Sequence, residues 1–146
     1  MAFTAKDVST LRAKTGIGMM ECKKALSEAN GDMDEAIKIL REKGLKVAEK
    51  KADRIAADGI VDILVEGNKA VMIEVNSETD FVAKNANFQS FVKGLLKTII
   101  ENKPTDVDAL MACKYTGTDD TVETTLKNKI FEIGEKLTIR RFVEVE

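Results

Sequence analysis

Two runs rich in β-branched residues, DGIVDILVE at 58–66 and KAVMIEVNS at 69–77, are separated only by Gly67-Asn68. A two-residue connection built from glycine and asparagine suits the left-handed backbone of a tight turn, so the pair predicts an antiparallel hairpin. A hairpin with one apolar face must be covered, and the residues that follow supply the cover. From Phe88 onward, Phe88, Phe91, Val92, Leu95, Leu96, Ile99 and Ile100 recur at helical spacing. That pattern stops near Asn102-Lys103-Pro104, because proline disfavours a helical residue before it. A short helix near 106–112 and a longer one near 119–135 follow, and LTIRRFVEV at 137–145 reads as a third strand. Strand, strand, helices, strand is an α+β order: a three-stranded antiparallel sheet with helices packed on one face.

Residues 1–54 have a different period and a different charge. They hold 12 Lys and Arg against 9 Asp and Glu, whereas residues 55–146 hold 11 against 16. Thr4 and Asp7 mark a helix start, and the TGIG of 15–18 marks its stop. A second helix begins near Met19 and ends in Ala29-Asn30-Gly31, residues suited to a left-handed terminus. Asp32 with Glu35 then opens a third helix with the stripe Met33, Ala36, Ile37 and Leu40, which Gly44 is expected to end. The organisation predicted is a three-helix bundle with a solvated helical linker at 45–57, so that residues 1–54 and 55–146 form two units.

Composition narrows the chemistry. The chain contains no histidine, which removes the commonest general base and transition-metal ligand and every Ser-His or Cys-His pair. No GxxxxGK[ST] phosphate loop is present. Cys22 and Cys113 form no CxxC motif and read as free thiols. A first unit of net +3, with one tyrosine in the chain, lacks the basic field and aromatic platforms of a nucleic-acid binder. The apolar runs are too short to span a bilayer, and MAFTAKDVST lacks the form of a secretory signal; the expected location is the cytoplasm.

Two stretches stand out as candidate sites. TGIGMM at 15–20 places two methionines after a glycine loop, one expected in the bundle core and one exposed as an adaptable contact. NSETDFVAKN at 76–85 sets Asp80 beside Phe81 at a strand-to-helix corner. Ser77 and Asp80 fit a capping-box variant, and Phe81, seven residues before Phe88, would share its face on an unbroken helix. Lys84 and Asn85 interrupt that stripe. Periodicity alone reads Phe81 as packing.

Several segments together resemble the bacterial elongation factor Ts family. They are TGIGMMECKKAL at 15–26, ANGD at 29–32, ADG at 57–59, EVNSETDFVAK at 74–84 and KIFEIGEKLTIRR at 129–141. The resemblance implies a guanine-nucleotide exchange factor for elongation factor Tu, the GTPase that delivers aminoacyl-tRNA to the ribosome. It implies a bundle similar to ubiquitin-associated domains in residues 1–54, and a core subdomain in residues 55–146. It also implies contact roles: Met19, Met20 and Lys23 on the bundle, Ile133 and Gly134 in the core, and Thr79, Asp80, Phe81 and Val82 intruding near the partner's magnesium and phosphates. Such a factor performs no covalent chemistry, and needs no cofactor or metal of its own, no direct nucleic acid and no membrane.

Members of the family usually continue into a second core subdomain, and short forms dimerise. A homo-dimer, and a fragment that binds without exchange activity, therefore stay open. An adaptor that binds an unrelated protein through residues 1–50 is the alternative from another class, and a thiol or carboxylate enzyme is a third.

Overall fold

A computed structural model describes residues 3–146. Three helices come first: α1 (Ala5–Thr15), α2 (Met19–Glu28) and α3 (Met33–Lys51). Thr4 and Asp7 form a reciprocal capping box at the start of α1, and Gly16, at φ 73°, closes it. Asp32 caps α3 by accepting the Glu35 N–H. Val8, Leu11, Cys22, Ala25, Leu26, Ala36 and Leu40 are buried together in the bundle.

The third helix departs from expectation. Gly44 does not end it; the helix runs on to Lys51, and the segment read as a solvated linker contributes its last turns. The reason is tertiary. A Cβ at Gly44 would meet the Phe131 ring at 3.5 Å, an ordinary contact distance, so this turn of the helix lies packed against Phe131. Val47 and Ala48 then pack on the second core. Burial outweighs the roughly 1 kcal/mol that glycine costs inside a helix.

The remaining elements are β1 (Asp58–Glu66), β2 (Lys69–Ser77), α4 (Asp80–Ala83), α5 (Ala86–Asn102), α6 (Val107–Ala112), α7 (Val122–Ile133) and β3 (Thr138–Val145). The strands form an antiparallel sheet in the order β1-β2-β3. Glu66 pairs with Lys69 across the predicted turn, and β3 pairs with β2, with Arg140 as an extra residue where the register shifts. This is an α+β fold. Gly59, at φ 137°, makes the closest backbone approach, since a Cβ there would stand 2.1 Å from the Val75 carbonyl oxygen.

On the inner face, Val71, Ile73, Val75 and Ile139 meet the apolar stripe of α5 together with Leu110, Leu126 and Ile130. Because side chains alternate along a strand, Val61, Ile63, Val65, Met72, Val143 and Val145 all point to the other face, and all six are exposed. Isolated exposed apolar residues are ordinary, but six on one sheet face form a contiguous patch.

Tyr115 stacks on Phe91, with ring centroids 5.7 Å apart, and its hydroxyl donates to the Phe91 carbonyl at 3.2 Å. Burial pushes its phenol up to about 12. The unfolded chain would lose that proton near pH ~10, so folding stability falls as pH rises through the interval between the two values and is untouched below it. Tyr115 is the sole tyrosine and there is no tryptophan, so tyrosinate absorbance reads this group alone. The expected titration midpoint lies well above the ordinary phenol value in the folded chain and returns to it in denaturant. A normal midpoint in the folded chain would contradict the packing.

Candidate functional site

The corner after β2 is built by its own polar groups. The Ser77 hydroxyl donates to the Thr79 carbonyl at 2.8 Å, which turns the chain out of the sheet. Thr79, not Ser77, is the helix cap: its side-chain oxygen accepts the Val82 N–H. The capping box expected from Ser77 and Asp80 does not form; a single cap bond two residues on, at Thr79, takes its place. Lys84 ends α4 and Asn85 begins α5 by accepting the Phe88 N–H, so no unbroken helix carries both Phe81 and Phe88. Phe88 is fully buried, whereas Phe81 is 81% exposed. Packing, the reading that periodicity favours for Phe81, is corrected here.

The four residues of the motif divide by direction. Asp80 and Phe81 face solvent, and Thr79 is half-buried. Val82 turns inward, only 8% exposed, and joins the core cluster with Phe88 and Val75, so its side chain anchors the corner. A one-turn helix is marginal by itself, which makes such an anchor necessary.

A second segment reaches the corner from α7. Glu135 accepts the N–H groups of Glu78 and Thr79 through Oε1, at 3.1 and 3.0 Å, and the Thr79 hydroxyl through Oε2 at 2.7 Å. In return, Glu78 Oε2 accepts the Lys136 N–H at 2.8 Å. Gly134, at φ 86°, ends α7 in the left-handed conformation and has nothing within contact distance where a Cβ would stand, while Ile133 is half-buried. The residues that follow Ile133 and Gly134 are thereby tied to Glu78 and Thr79, at the entry of the corner. Sequence reasoning missed Glu78 and Glu135, because two carboxylates so far apart in the chain carry no local signal of pairing.

The bundle approaches the same end of α7. A Cβ at Gly16 would stand 3.0 Å from the Glu132 carboxylate, which also accepts from Asn87 and Lys129 at 3.1 Å each. Just past that turn, Met19 and Met20 are 46% and 70% exposed, and Lys23 is exposed. Both methionines face outward, where one had been expected inside; Cys22, Ala25 and Leu26 fill that side of the bundle.

Among the described residues no group of three His, Cys, Asp or Glu side chains is placed to hold a metal ion. Burial pushes the Cys22 thiol up, the direction opposite to an activated nucleophile. A cleft of about 370 Å³ opens between bundle and core beside Lys14, Arg41, Tyr115 and Glu132, and none of residues 79–82 lines it. No helix among the described residues is long and apolar enough to cross a membrane.

Fold and site together define an α+β protein that holds out one exposed aromatic side chain, Phe81, on a corner anchored to the core by Val82. Residues 78–146 match the family model described as Elongation factor TS. Elongation factor Ts of Syntrophotalea carbinolica is 57% identical over 143 residues, which make up 98% of this chain and 47% of that relative. The chain belongs to the elongation factor Ts family and spans about half the length of the curated relative it matches.

Proposed function

We propose that this chain acts in translation elongation as a guanine-nucleotide exchange factor, binding elongation factor Tu and promoting release of its GDP. The observation that carries the reading is Phe81, a ring 81% exposed on a helix whose neighbouring residue, Val82, is locked into the core. An aromatic side chain held out rigidly loses little conformational entropy on docking and buries a large area when it does. In this reading Phe81 inserts near the partner's magnesium and phosphate region, while Asp80 sets a carboxylate against the groups that hold them. Thr79, Ile133 and Gly134 line the same contact, and Met19, Met20 and Lys23 supply a second one from the bundle. The bundle is of the ubiquitin-associated type and, with residues 55–146 as the core unit, serves as the first of two docking modules.

The energetics require no covalent step, so the chain is not an enzyme and uses no cofactor, nucleic acid or membrane; its place of action is the cytoplasm. A factor that binds the empty GTPase more tightly than the GDP-loaded one lowers GDP affinity by the same ratio. Four decades of weakening correspond to about 5.5 kcal/mol of differential binding. Mixing the chain with elongation factor Tu carrying fluorescent GDP is expected to accelerate release in proportion to added chain. Failure at every concentration, with binding retained, would reduce the chain to a docking fragment.

The outer face of the sheet supports homo-dimerisation, since Val61, Ile63, Val65, Met72, Val143 and Val145 lie uncovered there. Sedimentation velocity is expected to show concentration-dependent dimer, shifted toward monomer by Met72→Lys, which sets a charge on the central strand of the patch. A monomer across the whole concentration range would contradict this.

A further inference from the structure

We propose that Glu135 is the positioning residue of the aromatic corner: its carboxylate fixes where Phe81 points, and Glu78 completes a two-way clasp between the corner and the Gly134 loop. The inference rests on the reading that Phe81 acts on the GTPase, and names what aims it.

The corner needs an external brace. Helix α4 has only four residues, too few to sustain itself in water. Phe81, being exposed, gains almost nothing from its own fold, so burial does not orient it. Val82 and Ala83 anchor the far side of the turn, and within the corner its entry is held by the Ser77 hydroxyl, which donates to the Thr79 carbonyl. At that entry, two backbone N–H groups and one hydroxyl converge on the Glu135 carboxylate, at 3.1, 3.0 and 2.7 Å. Hydrogen bonds to an ionised acceptor are about twice as strong as neutral ones. The Thr79 hydroxyl links this carboxylate to the cap itself, donating to Glu135 while accepting from Val82.

The clasp is reciprocal and extended. Glu78 receives the Lys136 N–H through one oxygen and the Arg54 guanidinium through the other. Lys136 Nζ donates to the Ala52 carbonyl, and Lys51 Nζ donates to the Gly134 carbonyl at 2.8 Å. The end of α3, the corner and the turn after α7 are thereby tied at one point. Every one of these bonds joins segments distant in sequence, and each has a backbone group or charged side chain as its second partner. Such a knot fixes direction, which is what a wedge requires, because a misplacement of about 1 Å can cost ~100-fold where geometry carries the effect.

A merely structural glutamate and a positioning one are separated by comparing Glu135→Ala and Glu135→Gln in the full chain. Glutamine keeps an oxygen for the two N–H groups, whereas alanine keeps nothing. Amide hydrogen exchange at Glu78 and Thr79, read by NMR, reports the clasp with no partner present. GDP release from elongation factor Tu, followed to saturation, reports the aim. In Glu135→Ala, exchange at both amides is expected to quicken by about ten-fold or more as those bonds are lost. The maximum release rate should fall by about ten-fold while the half-saturating concentration stays within about three-fold, because the bundle's contacts are intact. Glu135→Gln should recover most of both.

Unchanged amide exchange in Glu135→Ala would overturn the proposal. So would faster exchange with an unaltered maximum rate. If Glu135→Ala fails to fold, Glu135→Gln carries the test, with a smaller shift expected in the same two readouts and no shift in either overturning the proposal. Should the unmodified chain itself leave GDP release unaccelerated, the exchange-factor reading falls separately, and amide exchange alone decides whether Glu135 holds the corner.

Discussion

Phe81→Ala is expected to leave the chain as stable as before while removing most of its effect on GDP release. The ring is 81% exposed and belongs to neither buried cluster, so truncation creates no cavity. Substitutions at such positions usually change stability by less than about 0.5 kcal/mol. An aromatic anchor at the centre of a contact typically accounts for about 2 kcal/mol or more, roughly thirty-fold in the release it drives. Denaturant unfolding and fluorescent-GDP release, measured on the same preparation, check the two halves of the statement. A lowered unfolding midpoint would show that Phe81 belongs to this molecule's own packing.

Phe88→Ala should do the reverse. Seven residues on, the same side chain is fully buried against the sheet among Val71, Ile73, Leu95 and the other residues of the larger core. Removing it costs about 3–5 kcal/mol, the transfer free energy of the ring plus the cavity left behind. Against a total stability of about 5–15 kcal/mol, that loss is expected to lower the denaturation midpoint sharply or unfold the chain outright. Any fall in release activity should then track the folded fraction. A variant with a wild-type midpoint would contradict the placement of α5 against the sheet.

The two phenylalanines also show how far the sequence alone could be read. Strand and helix identities were legible because each rests on local chemistry: Gly67-Asn68 between β-branched runs, the stripe from Phe88 to Ile100, and Asp32 ahead of Glu35. The fate of Phe81 was not, since spacing put it on the face of Phe88. What separates them is one turn of backbone, where Lys84 closes α4 and Asn85 caps α5. Gly44 failed as a stop signal for a related reason. Its environment is Phe131, from a helix far along the chain, and no local pattern announces that contact. The clasp of Glu78 and Glu135 is the extreme case, being wholly a product of tertiary placement. For the contact roles of Met19, Met20, Lys23, Ile133 and Gly134, the sequence offered family resemblance. Physical reasoning adds exposure for the methionines and proximity to the corner for the α7 turn.

The most direct measurement replaces Phe81 with the photoreactive aromatic p-benzoylphenylalanine, irradiates the chain with nucleotide-free elongation factor Tu, and maps the cross-link by mass spectrometry. The account predicts attachment among the partner residues that border its magnesium and phosphate pocket, suppressed when GDP and magnesium are present in excess. Attachment confined to surfaces remote from that pocket, or to this chain's own core, would contradict it.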